Sequence, residues 1–163
     1  MTYPKELYHG ERGEVAGRLW KGDSAPDLAI GGRTDVHYLA TGATTGGQYG
    51  LYRWDMKGEP GGGPDPHFHR TMSESFYVLS GGVGLYNGEE WTEAAPGDFY
   101  FVPPGGIHAF RNLQSPASML ILFAPGAPRE GYFEELAEIV ASGRELTEEE
   151  WNDVYGRHDQ YMV

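Results

Sequence analysis

The chain contains no cysteine. That excludes a disulfide framework and any thiolate metal site, and it agrees with a reducing compartment. Long apolar runs are also missing. The longest, SMLILFAPG at 118–126, is far shorter than the roughly 20 residues a membrane-spanning helix needs. The opening MTYPKELYHGERGE has no basic segment followed by an apolar run, so no secretory leader is expected and the reading is a cytoplasmic protein that does not engage membranes. Positive charge is scarce: 12 Lys and Arg stand against 24 Asp and Glu, a formal net charge of −12. Such a surface repels phosphate backbones, so nucleic acid is not an expected partner. The acid gathers late, with ten acidic and three basic residues from Arg129 onward.

Glycine (25) and aromatic residues (4 Trp, 11 Tyr, 7 Phe) are plentiful, a mixture that suits short strands joined by tight turns. At 163 residues the chain is long enough for one domain with its own core. From Asp35 onward, runs such as DVHYLATG, QYGLYRWDM, ESFYVLSG, DFYFVP and ASMLILFA are separated mostly by Gly, Pro, Asn or Asp. In the second of these, Tyr52, Trp54 and Met56 alternate with Leu51, Arg53 and Asp55, the period of a strand. Asn87-Gly88 between GLY and EEW predicts a hairpin with a type I′ turn. These features predict an all-β sandwich or barrel over 35–126, preceded by an extension at 1–34. Over 127–163 the texture turns helical. Phe133, Leu136, Ala137 and Val140 would form one buried face ending at Gly143, and Thr147 with Glu150 reads as a capping box before Trp151, Val154 and Tyr155.

Chemistry concentrates in HFHRTMSE. Side chains two apart on a strand face the same way, so His67 and His69 can reach one cation. Glu74 opens the next strand, and imidazole with carboxylate suits divalent first-row metals. His108, after the stiff PPGG bend, supplies a third imidazole if its strand lies beside the first. The expected site is therefore His67, His69, Glu74 and His108 around one divalent ion; Fe, Mn, Ni, Co, Cu and Zn all accept these donors. Phe76 and Val78 share the face of Glu74, and Phe110 that of His108; interior apolar residues of this kind are read as core. His9, His37 and His158 are read as structural or surface residues.

Two patterns then fall into register. Gly61, His67, His69, Glu74 and Gly81 match the first motif of the cupin superfamily, and Gly97, Pro103, Gly105, His108 and Asn112 match the second. The chain resembles a single-domain cupin over roughly 48–124. Gly81 and Gly97 suit turns with positive φ, Pro103 and Gly105 aim His108, and Asn112 is expected to bond its own backbone at the strand end. The resemblance implies a small antiparallel barrel or jelly roll with the metal in its mouth and short C-terminal α-helices outside it. It also implies a small-molecule substrate and a homodimer. More loosely, the acidic helical tail is similar to that of quercetinase-like dioxygenases. That likeness implies dioxygen as a co-substrate, an aromatic or enolic substrate, and Glu74 as both ligand and general base. A non-oxidative cyclase or isomerase of polyketide-type substrates, and a binding-only cupin, are the alternative readings.

Overall fold

A computed structural model describes residues 2–163. Residues 2–27 form neither helix nor strand. The chain then runs β1 (Leu28–Ile30), β2 (Thr34–Ala40), β3 (Gly50–Met56), β4 (His67–Phe68), β5 (Ser73–Ser80), β6 (Val83–Tyr86), β7 (Trp91–Ala94), β8 (Phe99–Val102), β9 (Ala109–Asn112) and β10 (Ala117–Ala124). Two helices follow, α1 (Arg129–Ser142) and α2 (Glu148–Arg157), and the tail closes with a short strand, β11 (Tyr161–Met162). The strands form a six-stranded sheet in the order β1-β2-β3-β10-β5-β8, a three-stranded sheet β7-β6-β9, and a ribbon of β11 with β4. Every pairing is antiparallel. This is the all-β jelly roll that the strand pattern and the motifs imply. No helix among the described residues is long and apolar enough to cross a membrane.

The core follows from strict alternation. β3 buries Tyr52, Trp54 and Met56, and its neighbour β10 buries Ala117, Met119, Ile121 and Phe123. Register sets Tyr52 opposite Ile121 and Trp54 opposite Met119. Burying a side chain of this size is worth about 1.5–3 kcal/mol, so the central pair of strands anchors the sheet. The three-stranded sheet adds Val83, Leu85 and Phe110 to the same core. α1 packs on it through Phe133, whose ring meets Trp54 at 4.9 Å and Tyr52 at 5.2 Å, both edge-on.

Local signals hold in part. The capping box is present: the Thr147 side chain accepts from the Glu150 N–H, and the Glu150 carboxylate accepts from the Thr147 N–H. Gly143 ends α1 in the left-handed conformation. The buried face of α1 is shifted, however. Arg129, Tyr132, Phe133 and Ala137 are buried while Val140 is 46% exposed, because the helix packs through its first turns. The 83–94 hairpin forms, but its loop spans 87–90 rather than a two-residue type I′ turn. Only Gly88 takes positive φ; Asn87 instead accepts the N–H groups of Glu89 and Glu90 on its side-chain oxygen.

Candidate metal centre

The two histidine segments meet through their backbones. His67 N–H donates to His108 O at 3.0 Å and His108 N–H donates to His67 O at 2.8 Å, an isolated antiparallel bridge. His69 lies just past the end of β4, and its carbonyl accepts from Gly105 N–H at 2.7 Å. Gly105 has φ of +81°, so the bend that delivers His108 depends on a residue without a side chain. Glu74 reaches the same point from β5.

Four donor groups thereby converge. One ligand atom each from His67, His69, Glu74 and His108 lies within 4.8 Å of all the others, and all four residues are buried. Donors about 2.1 Å from one ion would sit about 3–4 Å apart, so the cluster has the size of a single-metal site. Tautomers sharpen the fit. His67 Nδ1 donates to Asp65 O at 2.8 Å, His108 Nδ1 to Gly106 O at 2.9 Å, and His69 Nδ1 to Asp159 O at 2.6 Å. With each Nδ1–H so engaged, Nε2 is left as the inward lone pair. Yet Glu74 Oε2 lies 3.0 Å from His69 Nε2 and 2.8 Å from His108 Nε2. A neutral imidazole has one N–H, so both rings face acceptors on both sides. Either they are doubly protonated around one carboxylate, or a cation stands between nitrogen and oxygen.

Charge in the cluster follows from burial and hydrogen bonding. Burial disfavours a charged His67, and the charge of His108 adds to this; its pKa falls to about 3, so the ring is a neutral donor. Burial alone would raise the Glu74 carboxyl, but hydrogen bonds from His108 and His69 outweigh it and hold the group well below the usual carboxylate range. Burial also opposes a charged His108; the hydrogen bond with Glu74 prevails and lifts its pKa.

The cluster opens into a cavity of about 830 Å³, walled by Trp54, Phe110, Phe123, Tyr132 and Phe133 and lined also by His67, Glu74 and Arg129. Phe110 therefore does more than fill core, whereas Phe76 and Val78 are core residues beneath the site. Asn112 bonds the local backbone at the strand end, as expected, and reaches further as well. It accepts from Gly62 N–H at 3.1 Å and donates to Gly58 O and Gln114 O, pinning the glycine-rich loop to β9. The other histidines stand apart: His37 lies 2.7 Å from Arg53 Nη2 and 3.2 Å from Asp55, His158 meets Glu135 at 2.7 Å, and His9 is exposed. Sequence reasoning missed Asp159, Gln160 and Arg129. The only signal was that Arg129 is one of three basic residues in an acidic tail.

A family profile described as "Cupin domain" matches residues 54–123. The chain is 30% identical over 76 residues to the uncharacterized protein SCO3923 of Streptomyces coelicolor, covering 47% of this chain and 68% of that protein. It is 36% identical over 90 residues to oxidoreductase OpS7 of Beauveria bassiana, covering 52% of this chain but 30% of the relative. With quercetin 2,3-dioxygenase of Bacillus subtilis it shares 30% identity over 60 residues, 37% of this chain and 18% of that enzyme. The solved structure of KdgF from Halomonas sp. superposes with a TM-score of 0.62 at 16% identity, over 71% of this chain and 99% of that one, a likeness of fold alone.

Proposed function

This chain belongs to the cupin family, and from that premise we propose that it is a metal-dependent enzyme acting on a small aromatic or enolic substrate, a dioxygenase of the quercetin-cleaving kind. The observation that carries the reading is the donor set: three imidazoles with Nδ1 tied to carbonyls, two of them with Nε2 against one carboxylate, at the floor of an aromatic-walled cavity. The named relatives that act as an oxidoreductase and a quercetin dioxygenase support the oxidative side of it.

His67, His69, Glu74 and His108 would hold the ion, which when bound supplies Lewis-acid stabilisation of an ionised enol oxygen and a meeting point for dioxygen. The remaining work belongs to the chain. The aromatic wall orders a planar substrate and excludes water from it. Glu74 Oε1 has no hydrogen-bond partner among the described residues, and Glu74 lines the cavity, so this oxygen is placed to take the enol proton. What depresses the carboxyl is donation from His69 and His108. Those same Nε2 atoms would serve as ligands, and a bound cation would itself then hold Glu74 ionised, the form that accepts a proton.

The test is dioxygen uptake by protein loaded in turn with several divalent metals, offered a panel of flavonols and related enols. Metal-dependent uptake with ring cleavage is expected. Glu74→Gln should keep part of the metal and lose at least about 100-fold in turnover, the lower range for a general base. Conversion without uptake would replace the dioxygenase reading by a non-oxidative cyclisation or isomerisation. Binding without conversion would leave a ligand-binding cupin.

A further inference from the structure

Arg129, the first residue of α1, is 4% exposed and lines the same cavity as His67 and Glu74. Its Nη1 donates to His158 O at 2.7 Å and its Nη2 to Gln160 Oε1 at 3.2 Å. Gln160 is held in turn by donating to Tyr132 Oη at 3.2 Å. The buried Nε–H has no partner. Aromatic faces surround the guanidinium: its carbon lies 4.5 Å from the Tyr132 ring centre, 5.2 Å from Phe123 and 5.6 Å from Phe133. Among the described residues Arg129 forms no ion pair.

A purely structural Arg129 would tie the tail to α1. That role uses two of five N–H groups and does not need the charge, since a neutral amide could make the same bonds. A buried charge without a counter-charge is strongly unfavourable, and the first turn of a helix is the wrong end for a cation. Ring faces stabilise a guanidinium in part, but they leave its in-plane donors free. The nearest buried carboxylate, Glu74, is already engaged by His69 and His108. Three features therefore coincide: a buried cation without an ion pair, an unpartnered Nε–H, and a cavity within the 300–1,000 Å³ range typical of small-molecule sites. An aromatic anion would meet all three.

We propose that Arg129 is the anion-recognition residue of this cavity, binding a carboxylate or ionised enol oxygen of an aromatic ligand through Nε–H and its remaining N–H groups while the ring lies against Phe123 and Phe133. The proposal deepens the reading of the cavity as a substrate site and rests on it. It states the charge class of the ligand, which that reading leaves open.

The experiment titrates the full chain, as purified and after chelator treatment, with 2-naphthoate and with the neutral isostere 2-naphthamide. Binding is followed by calorimetry and by quenching of tryptophan fluorescence, since Trp54 lines the cavity. Wild type should prefer the anion by about tenfold or more, in keeping with a charge-assisted bidentate contact. Arg129→Gln should abolish the preference with little change for the amide. Arg129→Lys, which keeps charge but not the planar edge, should retain only part of it. A structural role alone would move both ligands together. An equal affinity for the two ligands in wild type, failure of both to bind, or an undiminished preference in Arg129→Gln would overturn the proposal. If Arg129→Gln does not fold, the wild-type ratio and the Arg129→Lys ratio decide. Because chelated protein is included, the result is independent of dioxygen uptake, and either reading can fail alone.

Discussion

His67 and His108 are supported by the carbonyls of Asp65 and Gly106, each two residues behind the ligand it holds. His69 is supported by Asp159, 90 residues further along. The first kind of support comes with the local loop and cannot be separated from it. The second exists only after the tail has crossed the barrel mouth and β11 has paired with β4. The tail is pinned for that purpose. Asp159 takes a left-handed φ of 53°, and its carboxylate accepts from Arg70 N–H, Thr71 N–H and Thr71 Oγ1, the last at 2.6 Å. One donor cluster is thus assembled from a self-contained half and a half closed by residues 158–163.

The largest expected effect removes a ligand outright. His69→Ala should lose bound metal, by metal analysis after dialysis, while the barrel melts cooperatively near the wild-type temperature. Full occupancy would end the assignment of His69. Next in size, deleting residues 158–163 should weaken metal binding by about 10–100-fold, the usual consequence of losing an outer-shell partner of a ligating histidine. Unchanged affinity would mean that water replaces the Asp159 carbonyl and that the two kinds of support are equivalent. Asn112→Ala perturbs the self-contained half instead. It leaves Gly62 N–H and Gly58 O, on a loop that water reaches, without that partner and should lower stability by about 0.5–1.5 kcal/mol in denaturant titrations, with metal affinity nearly intact.

The smallest effect lies in the tail. The hydrogen bond from His158, aided by Arg157, holds the Glu135 carboxyl below its usual range. A carboxyl with a depressed folded pKa adds stability above its unfolded value of about 4.3, and that stability disappears as pH falls through the folded value. Glu135→Gln should therefore be less stable than wild type at pH 7 by about 0.5 kcal/mol, as expected of a partly exposed pair, with the gap closing below about pH 4. A gap that persists at pH 3 would assign the effect to packing rather than charge.

Alternation in QYGLYRWDM was enough to orient β3, because period two leaves a half-buried strand one way to face the core, whereas ASMLILFA is apolar from Met119 to Phe123 and its facing came only with its pairing to β3 and β5. The spacing of HFHRTMSE and of PPGGIH was enough to nominate the four donor groups, but the two segments are separated by β5 to β8 and are joined by the backbone bridge between His67 and His108, a tertiary contact. The capping box was legible because it is a contact of three-residue range. Elsewhere the chain path decided. Local pattern put Val140 on the buried face of α1 and Asn87 in a two-residue turn, and tertiary packing and a side-chain hydrogen bond overrode both. The support of His69 is a backbone carbonyl, a group every residue carries, so no residue type announces it. Arg129 likewise reads in sequence as one more charge on a helix. Only the tertiary structure buries it beside the donor cluster, where low dielectric makes an unpaired guanidinium a demand for an anion.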